Sequence, residues 1–158
     1  MLRETCLLGQ SGFMLGQSTQ LKAMRKIEAR MIQSIRHLAN WPKFDGRYLK
    51  CANTEVWQDG VNFFNQERII KVKLHGHTIA EFYPEANCFV LSDCGWQTVT
   101  TKSRLNALIR AFSPHSDRIS QCKFEWRLGE EPWQSGTSFY VQILPNNHTL
   151  KLAAKLAG

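Results

Sequence analysis

No stretch of this 158-residue chain approaches the roughly 18 successive apolar residues that a membrane-spanning helix requires, and no membrane partner is expected. The opening residues, Met1-Leu2-Arg3-Glu4-Thr5-Cys6, lack the basic-then-apolar order of a secretory leader, so a cytoplasmic location is expected. Cysteine is sparse and odd in number: Cys6, Cys51, Cys88, Cys94 and Cys122 are five, without dense spacing. That excludes a disulfide framework and predicts reduced, partly buried thiols. Motifs of catalysis are missing too. There is no Gly-x-x-x-x-Gly-Lys loop, no Gly-x-Gly-x-x-Gly turn after a strand and no Gly-x-Ser-x-Gly elbow. His75, His77, Asn87 and His148 invite comparison with His/Asn nucleases, but carboxylates that could hold magnesium are scattered, with Asp93 nearest. Without a convergent acid/base cluster, a non-enzymatic protein with no cofactor is expected.

Acidic residues are scarce at one end. Residues 1–50 hold nine Lys/Arg against three Asp/Glu, or +6 of a total +7, while residues 51–158 are nearly balanced at +1. An asymmetry of this kind points to an anionic partner rather than to a fold. A hydrophobic content of 43%, with five Trp and nine Phe, suffices for one packed domain.

Residues 1–17, with the short echo Leu8-Gly9-Gln10-Ser11 and Leu15-Gly16-Gln17-Ser18, read as a flexible arm. Residues 18–44 read as a basic amphipathic helix running from Ser18 or Thr19 to about Ala39. Leu21, Met24, Ile27, Met31, Ile35 and Leu38 form its stripe, and Lys22, Arg25, Lys26, Arg30 and Arg36 lie around it. Its basic face could simply be solvated, could meet phosphates, or could lie on a membrane surface; its stripe would also suit a homo-oligomer. The breaker run Asn40–Gly46 then opens a core domain over residues 45–145.

Within that core, segments near Thr54–Gln58, Ile69–Leu74, Ile79–Tyr83 and Cys88–Ser92 read as a β-meander. Pairing Lys73 with Glu81 and Lys71 with Tyr83 puts Ile70, Val72, Leu74, Ala80, Phe82, Phe89 and Leu91 on one face, and requires a three-residue loop or a bulge near Gly76. A helix follows. Thr100 or Thr101 could cap it, Leu105, Leu108, Ile109 and Phe112 form its stripe, Lys102, Ser103, Asn106 and Arg110 face outward, and Pro114 ends it. The alternation Cys122, Phe124, Trp126, Leu128 predicts one clear strand, Gly129 to Gly136 a loop, and Phe139 to Ile143 a last strand. The class is α+β: an antiparallel sheet of β-meander, helix and β-hairpin, with the N-terminal basic helix appended. Residues 146–158 form a tail in which Leu150–Leu156 could make a short helix.

The run Gly95-Trp96, Thr98, Thr100-Thr101-Lys102, Arg104-Leu105-Asn106 resembles a signature of small phage-encoded proteins, and the likeness spans roughly Asn53 to Ile143. It implies a phage origin and a compact α+β domain but no catalytic residues, and a phage origin makes the expected cytoplasm that of the host cell. The first fifty residues and the tail read as additions to that pattern.

Nucleic acid is the favoured partner, single strands ahead of duplex, because a positive groove with aromatic stacking faces holds them. The contact residues would be Lys22, Arg25, Lys26, Arg30, Arg36, Lys71, Lys73, Tyr83, Lys102 and Arg110. Trp41, Trp57, Trp96 and Trp133 are further platforms, although packing at the helix turn is the expected place for Trp96. A different class remains open: an effector that seizes a host protein complex through the same charged helix and exposed aromatics. No metal is expected; His75, His77 and Cys94 are the candidates if there were zinc, with no common finger spacing.

Overall fold

The computed structural model describes residues 25–59, 67–114 and 117–143, and the backbone of 153–156. Among them are two helices, α1 (Lys26–Ala39) and α2 (Val99–Phe112). There are ten strands: β1 (Gly46–Cys51), β2 (Thr54–Asp59), β3 (Ile69–Leu74), β4 (His77–Tyr83), β5 (Cys88–Ser92), β6 (Ile119–Cys122), β7 (Glu125–Leu128), β8 (Glu131–Trp133), β9 (Ser138–Gln142) and β10 (Ala153–Leu156). The fold is α+β. Seven strands make one antiparallel sheet in the order β1-β2-β3-β4-β5-β9-β10, and β6-β7-β8 make a second, smaller one.

Period-two alternation builds the large sheet. Val56, Ile70, Val72, Leu74, Ala80, Phe82, Phe89, Leu91, Phe139 and Val141 are buried in one core, with Met31, Ile32, Ile35 and Leu38 of α1 and Leu105, Leu108 and Ile109 of α2. Each of these side chains larger than Ala80 contributes roughly 1.5–3 kcal/mol of burial. Both helices therefore cover one face. The alternate positions Trp57, Lys71, Lys73, Glu81, Tyr83, Val90 and Tyr140 are half-buried on the other.

The expected core face forms, but through a different register. Lys71 pairs with Glu81 and Ile70 with Phe82, two residues away from the expected alignment. An even slip preserves facing, which is why the apolar set survives the error. A bulge beside Val72/Lys73 does occur, and it buries the consecutive residues Ile79 and Ala80.

Other expectations are corrected. Arg25 is extended (φ −62°, ψ 143°), so α1 starts at Lys26 rather than at Ser18 or Thr19; Lys22, Leu21, Met24 and the arm lie outside the described residues. Ile32 joins the stripe, while Ile27 is only half-buried. Thr98, not Thr100 or Thr101, caps α2, its hydroxyl accepting from Thr101 N at 3.1 Å. Gly46–Cys51 is a strand that its mixed polar sequence does not announce; it is the edge strand β1, half of its residues exposed. The single strand expected over Cys122–Leu128 is instead a hairpin. Lys123 (φ 49°) and Phe124 (φ 68°) turn the chain, and Cys122 faces Glu125. Glu131–Trp133, expected in a loop, pairs with β7 and buries Trp133. The tail segment Ala153–Leu156 pairs with β9 as a strand rather than a helix, since the edge of β9 offers a ladder of backbone partners.

Candidate nucleic-acid interface

The helical layer begins with a buried ion pair. Glu28 and Arg104 meet at 3.0 Å, with side chains only 8% and 4% exposed. Ser103 Oγ also donates to Glu28 Oε1, and Arg104 Nε donates to Thr54 Oγ1 at 3.2 Å. This knot joins α1, α2 and β2. Nearby, Arg36 donates to the Ala111 carbonyl at 3.4 Å and its guanidinium lies 5.5 Å from the Phe112 ring centroid. Arg68 closes the other end of α1, donating to Leu38 O at 3.2 Å, Ala39 O at 3.1 Å and Glu85 Oε1 at 2.7 Å. Burial pushes the Glu85 carboxyl up, but its bond to Arg68, backbone hydrogen bonds and the guanidinium charge together outweigh this and hold it below the usual range.

The knot consumes the only carboxylate on either helix. Arg25 at the N-cap of α1 and Lys26, Arg30 and Arg36 within it, with Lys102 and Arg110 from α2, make no ion pair among the described residues. Arg25, Lys26, Arg30 and Arg36 are exposed. Lys102 is half-buried, donating to Gln121 Oε1 at 3.0 Å above the Trp126 ring, and Arg110 is half-buried with its Nε enclosed and unpartnered.

The remaining site residues lie on the opposite face of the sheet, among carboxylates and rings. Lys71 pairs with Asp59 at 2.5 Å. Lys73 sits 4.4 Å from the Trp57 ring centroid, with Arg47 at 5.8 Å from the same ring. Trp57 Nε1 donates to Glu55, and this bond, aided by Arg47, Lys50 and Lys73, holds that carboxyl low. Tyr83 donates to Glu81 at 2.9 Å; burial and this carboxylate push its phenol up to about 12. The residues thus fall into a cationic helical layer and a charge-balanced sheet face rather than one surface.

His75, His77 and Cys94 do come together, as walls of a cavity of about 500 Å³ beside the first turn of α2. They are not arranged as ligands: among the described residues no group of three or more His, Cys, Asp or Glu is placed to hold a metal ion. Cys94 Sγ instead donates to Thr78 O at 2.8 Å. Burial pushes its thiol pKa up, Asp93 adds to the shift, and the Ser92 bond opposes it. His75 Nε2 lies 3.1 Å from Asn53 Nδ2. Trp96, expected to pack inward, is 63% exposed at the rim of this cavity. Cys94 (φ 52°) and Gly95 (φ 79°) are left-handed in succession, and that turn swings the indole outward.

A family model described as Kyanoviridae Gp96 protein matches residues 24–142. The chain belongs to this family. No curated protein and no solved structure matches it. The Gp96 match establishes a phage protein, in keeping with the resemblance seen in the sequence. It also reaches back to residue 24, so α1 is part of the Gp96 segment rather than an addition to it, and the segment closes at the end of β9. Among the described residues no helix is long and apolar enough to cross a membrane.

Sequence reasoning missed Arg104 and Arg68, both buried, because charged residues are ordinarily exposed. The signal for Arg104 was present in its spacing, four residues before Leu108 on the buried face of α2.

Proposed function

We propose that this phage protein is a non-enzymatic accessory factor that binds nucleic acid, single strands in preference, in the host-cell cytoplasm. One observation carries the reading: Arg25, Lys26, Arg30, Arg36, Lys102 and Arg110 share a layer whose sole carboxylate, Glu28, is buried against Arg104. Such a layer lacks internal counter-charges and gains by releasing counterions from a phosphate chain. Exposed Trp41 and Trp96 supply faces on which unpaired bases stack.

The test is binding of a labelled single-stranded oligonucleotide as salt is raised. Four to six phosphate contacts at a slope of about 0.7 each give a log–log slope of about −3 to −4. Arg25→Glu, Lys26→Glu and Arg30→Glu together should remove most of that affinity and flatten the slope. Unchanged affinity excludes the helical layer as the contact surface.

A second reading, a host-protein effector, is favoured by Phe124, which is 93% exposed at a hairpin tip, where a bare aromatic suits a protein pocket. It gains if a host complex is retained from nuclease-treated lysate, Phe124→Ala releases that complex, and no oligonucleotide binds.

A further inference from the structure

We propose that the cavity at the start of α2 is a binding site for a single nucleobase, stacked on Trp96 and offered as a nucleotide. This rests on the nucleic-acid reading for the source of the base, but it engages residues separate from the cationic side chains of the helical layer.

The rim is rigid where it carries the aromatic ring. Asp93, fully buried, accepts from Gly95 N at 3.0 Å and from Gly136 N at 2.8 Å through the same oxygen. Trp96 N donates to Asp93 O and Thr98 N donates to Trp96 O, each at 2.8 Å. The backbone on both sides of Trp96 is therefore clamped while its indole faces solvent. An apolar ring held out on a fixed backbone is arranged in advance for stacking, so little ordering is left for binding to impose.

Behind the rim the geometry suits a flat heteroaromatic. The Trp96 and His77 rings are stacked, at 26° with centroids 6.2 Å apart, so that His77 backs the indole. The cavity, about 500 Å³, falls within the size range of small-molecule sites. Leu74 and Ile79 give it an apolar floor, and Thr98 and Thr100 place polar groups on one wall. Thr100 N lies in the first turn of α2, where amides have no partner within the helix. It can donate to a ring nitrogen or carbonyl at the edge of a base.

Charge decides between occupants. The single carboxylate on the wall, Asp93, is buried, its Oδ1 held by two amides and its Oδ2 unpartnered, and the more accessible ionisable groups are His75, His77 and the half-buried Cys94 beside the positive end of α2. A phosphate attached to the base is welcome there. An aromatic side chain from a protein would fill the floor but leave the amide and imidazole donors without acceptors.

The experiment titrates the full chain with each of the four ribonucleoside monophosphates, following saturable quenching of tryptophan fluorescence and, in parallel, heat of binding. N-acetyltryptophanamide is the control for a protein-derived ring. At least one nucleotide should bind saturably. Trp96→Phe, which keeps a ring, should retain binding by calorimetry, and Trp96→Ala should weaken it about tenfold or more. Because Trp96 is 63% exposed, the alanine variant is expected to melt as the parent does. The Arg25→Glu/Lys26→Glu/Arg30→Glu protein should bind mononucleotide as the parent does, even where its oligonucleotide affinity is gone. No saturable binding by any of the four nucleotides overturns the proposal, as does binding unaffected by Trp96→Ala. Preference for N-acetyltryptophanamide overturns it in favour of a protein partner. Mononucleotide binding without oligonucleotide binding sinks the helical-layer reading and leaves this one standing.

Discussion

Breaking the Glu28–Arg104 pair should destabilise the protein more than any surface change. Replacing Arg104 with Met leaves the Glu28 carboxylate in a position 8% exposed, with only the Ser103 hydroxyl to bond it. Removing one partner of a pair this buried costs about 3–5 kcal/mol. For a chain of this length each kcal/mol lowers the melting temperature by about 2–4 °C, so the expected fall is about 6–20 °C. Glu28→Met should do the same, by stranding the guanidinium with Thr54 alone. The double variant Glu28→Met/Arg104→Met carries no stranded charge and should return to within about 1 kcal/mol of the parent. Urea unfolding of the four proteins, read as a double-mutant cycle, supplies the coupling directly. If each single variant costs under about 1 kcal/mol, or if the two costs simply add, the pair behaves like a solvated surface bridge. The account of how α1 is held against α2 would then be wrong.

Two further outcomes are expected. Lys123→Asn with Phe124→Gly should stabilise the β6–β7 hairpin by about 1–2 kcal/mol in urea unfolding, because both positions are left-handed and Phe124 is 93% exposed; a loss would mean that Phe124 packs against something. Tyr83, held at about 12 against an unfolded value of about 10, should ionise late in a phenolate absorbance titration alongside Tyr140, which its bond to Cys88 and burial also push up, and Tyr83→Phe should reduce the amplitude of that late step. Its folded state favours the neutral phenol, so its contribution to stability is complete below pH 10 and is lost as the pH rises toward 12.

Where one physical rule acted alone, the sequence was readable. The period of Leu105, Leu108, Ile109 and Phe112 gives α2, and period-two alternation gives the core face of β3, β4 and β5, because helical and strand spacing suffice for both. The β6–β7 hairpin was hidden because its turn residues are Lys and Phe, and the alternation runs straight through them with no Asn-Gly or Gly to mark the break. In the candidate sites, the cationic side chains of α1 were visible as a charge asymmetry, but their division from Lys71, Lys73 and Tyr83 depends on which sheet face the helices cover. That is a tertiary fact. Trp96 was misplaced for a related reason: its exposure depends on two successive left-handed residues, and only one of them is a glycine.

Strands β5 and β9 are neighbours in the large sheet, yet α2 and the whole smaller sheet lie between them in the chain. Ser92 faces Ser138, so the polypeptide departs and re-enters at the same rung. β1 to β5 can zip up from one hairpin to the next, whereas β9 has to wait for a long excursion to close, which makes its docking a late folding event. The entropy of such a closure grows only slowly with length. Within residues 93–137, length can therefore change between elements without shifting the ladder on either side, but not within α2, whose Arg104, Leu105 and Leu108 are held in the core.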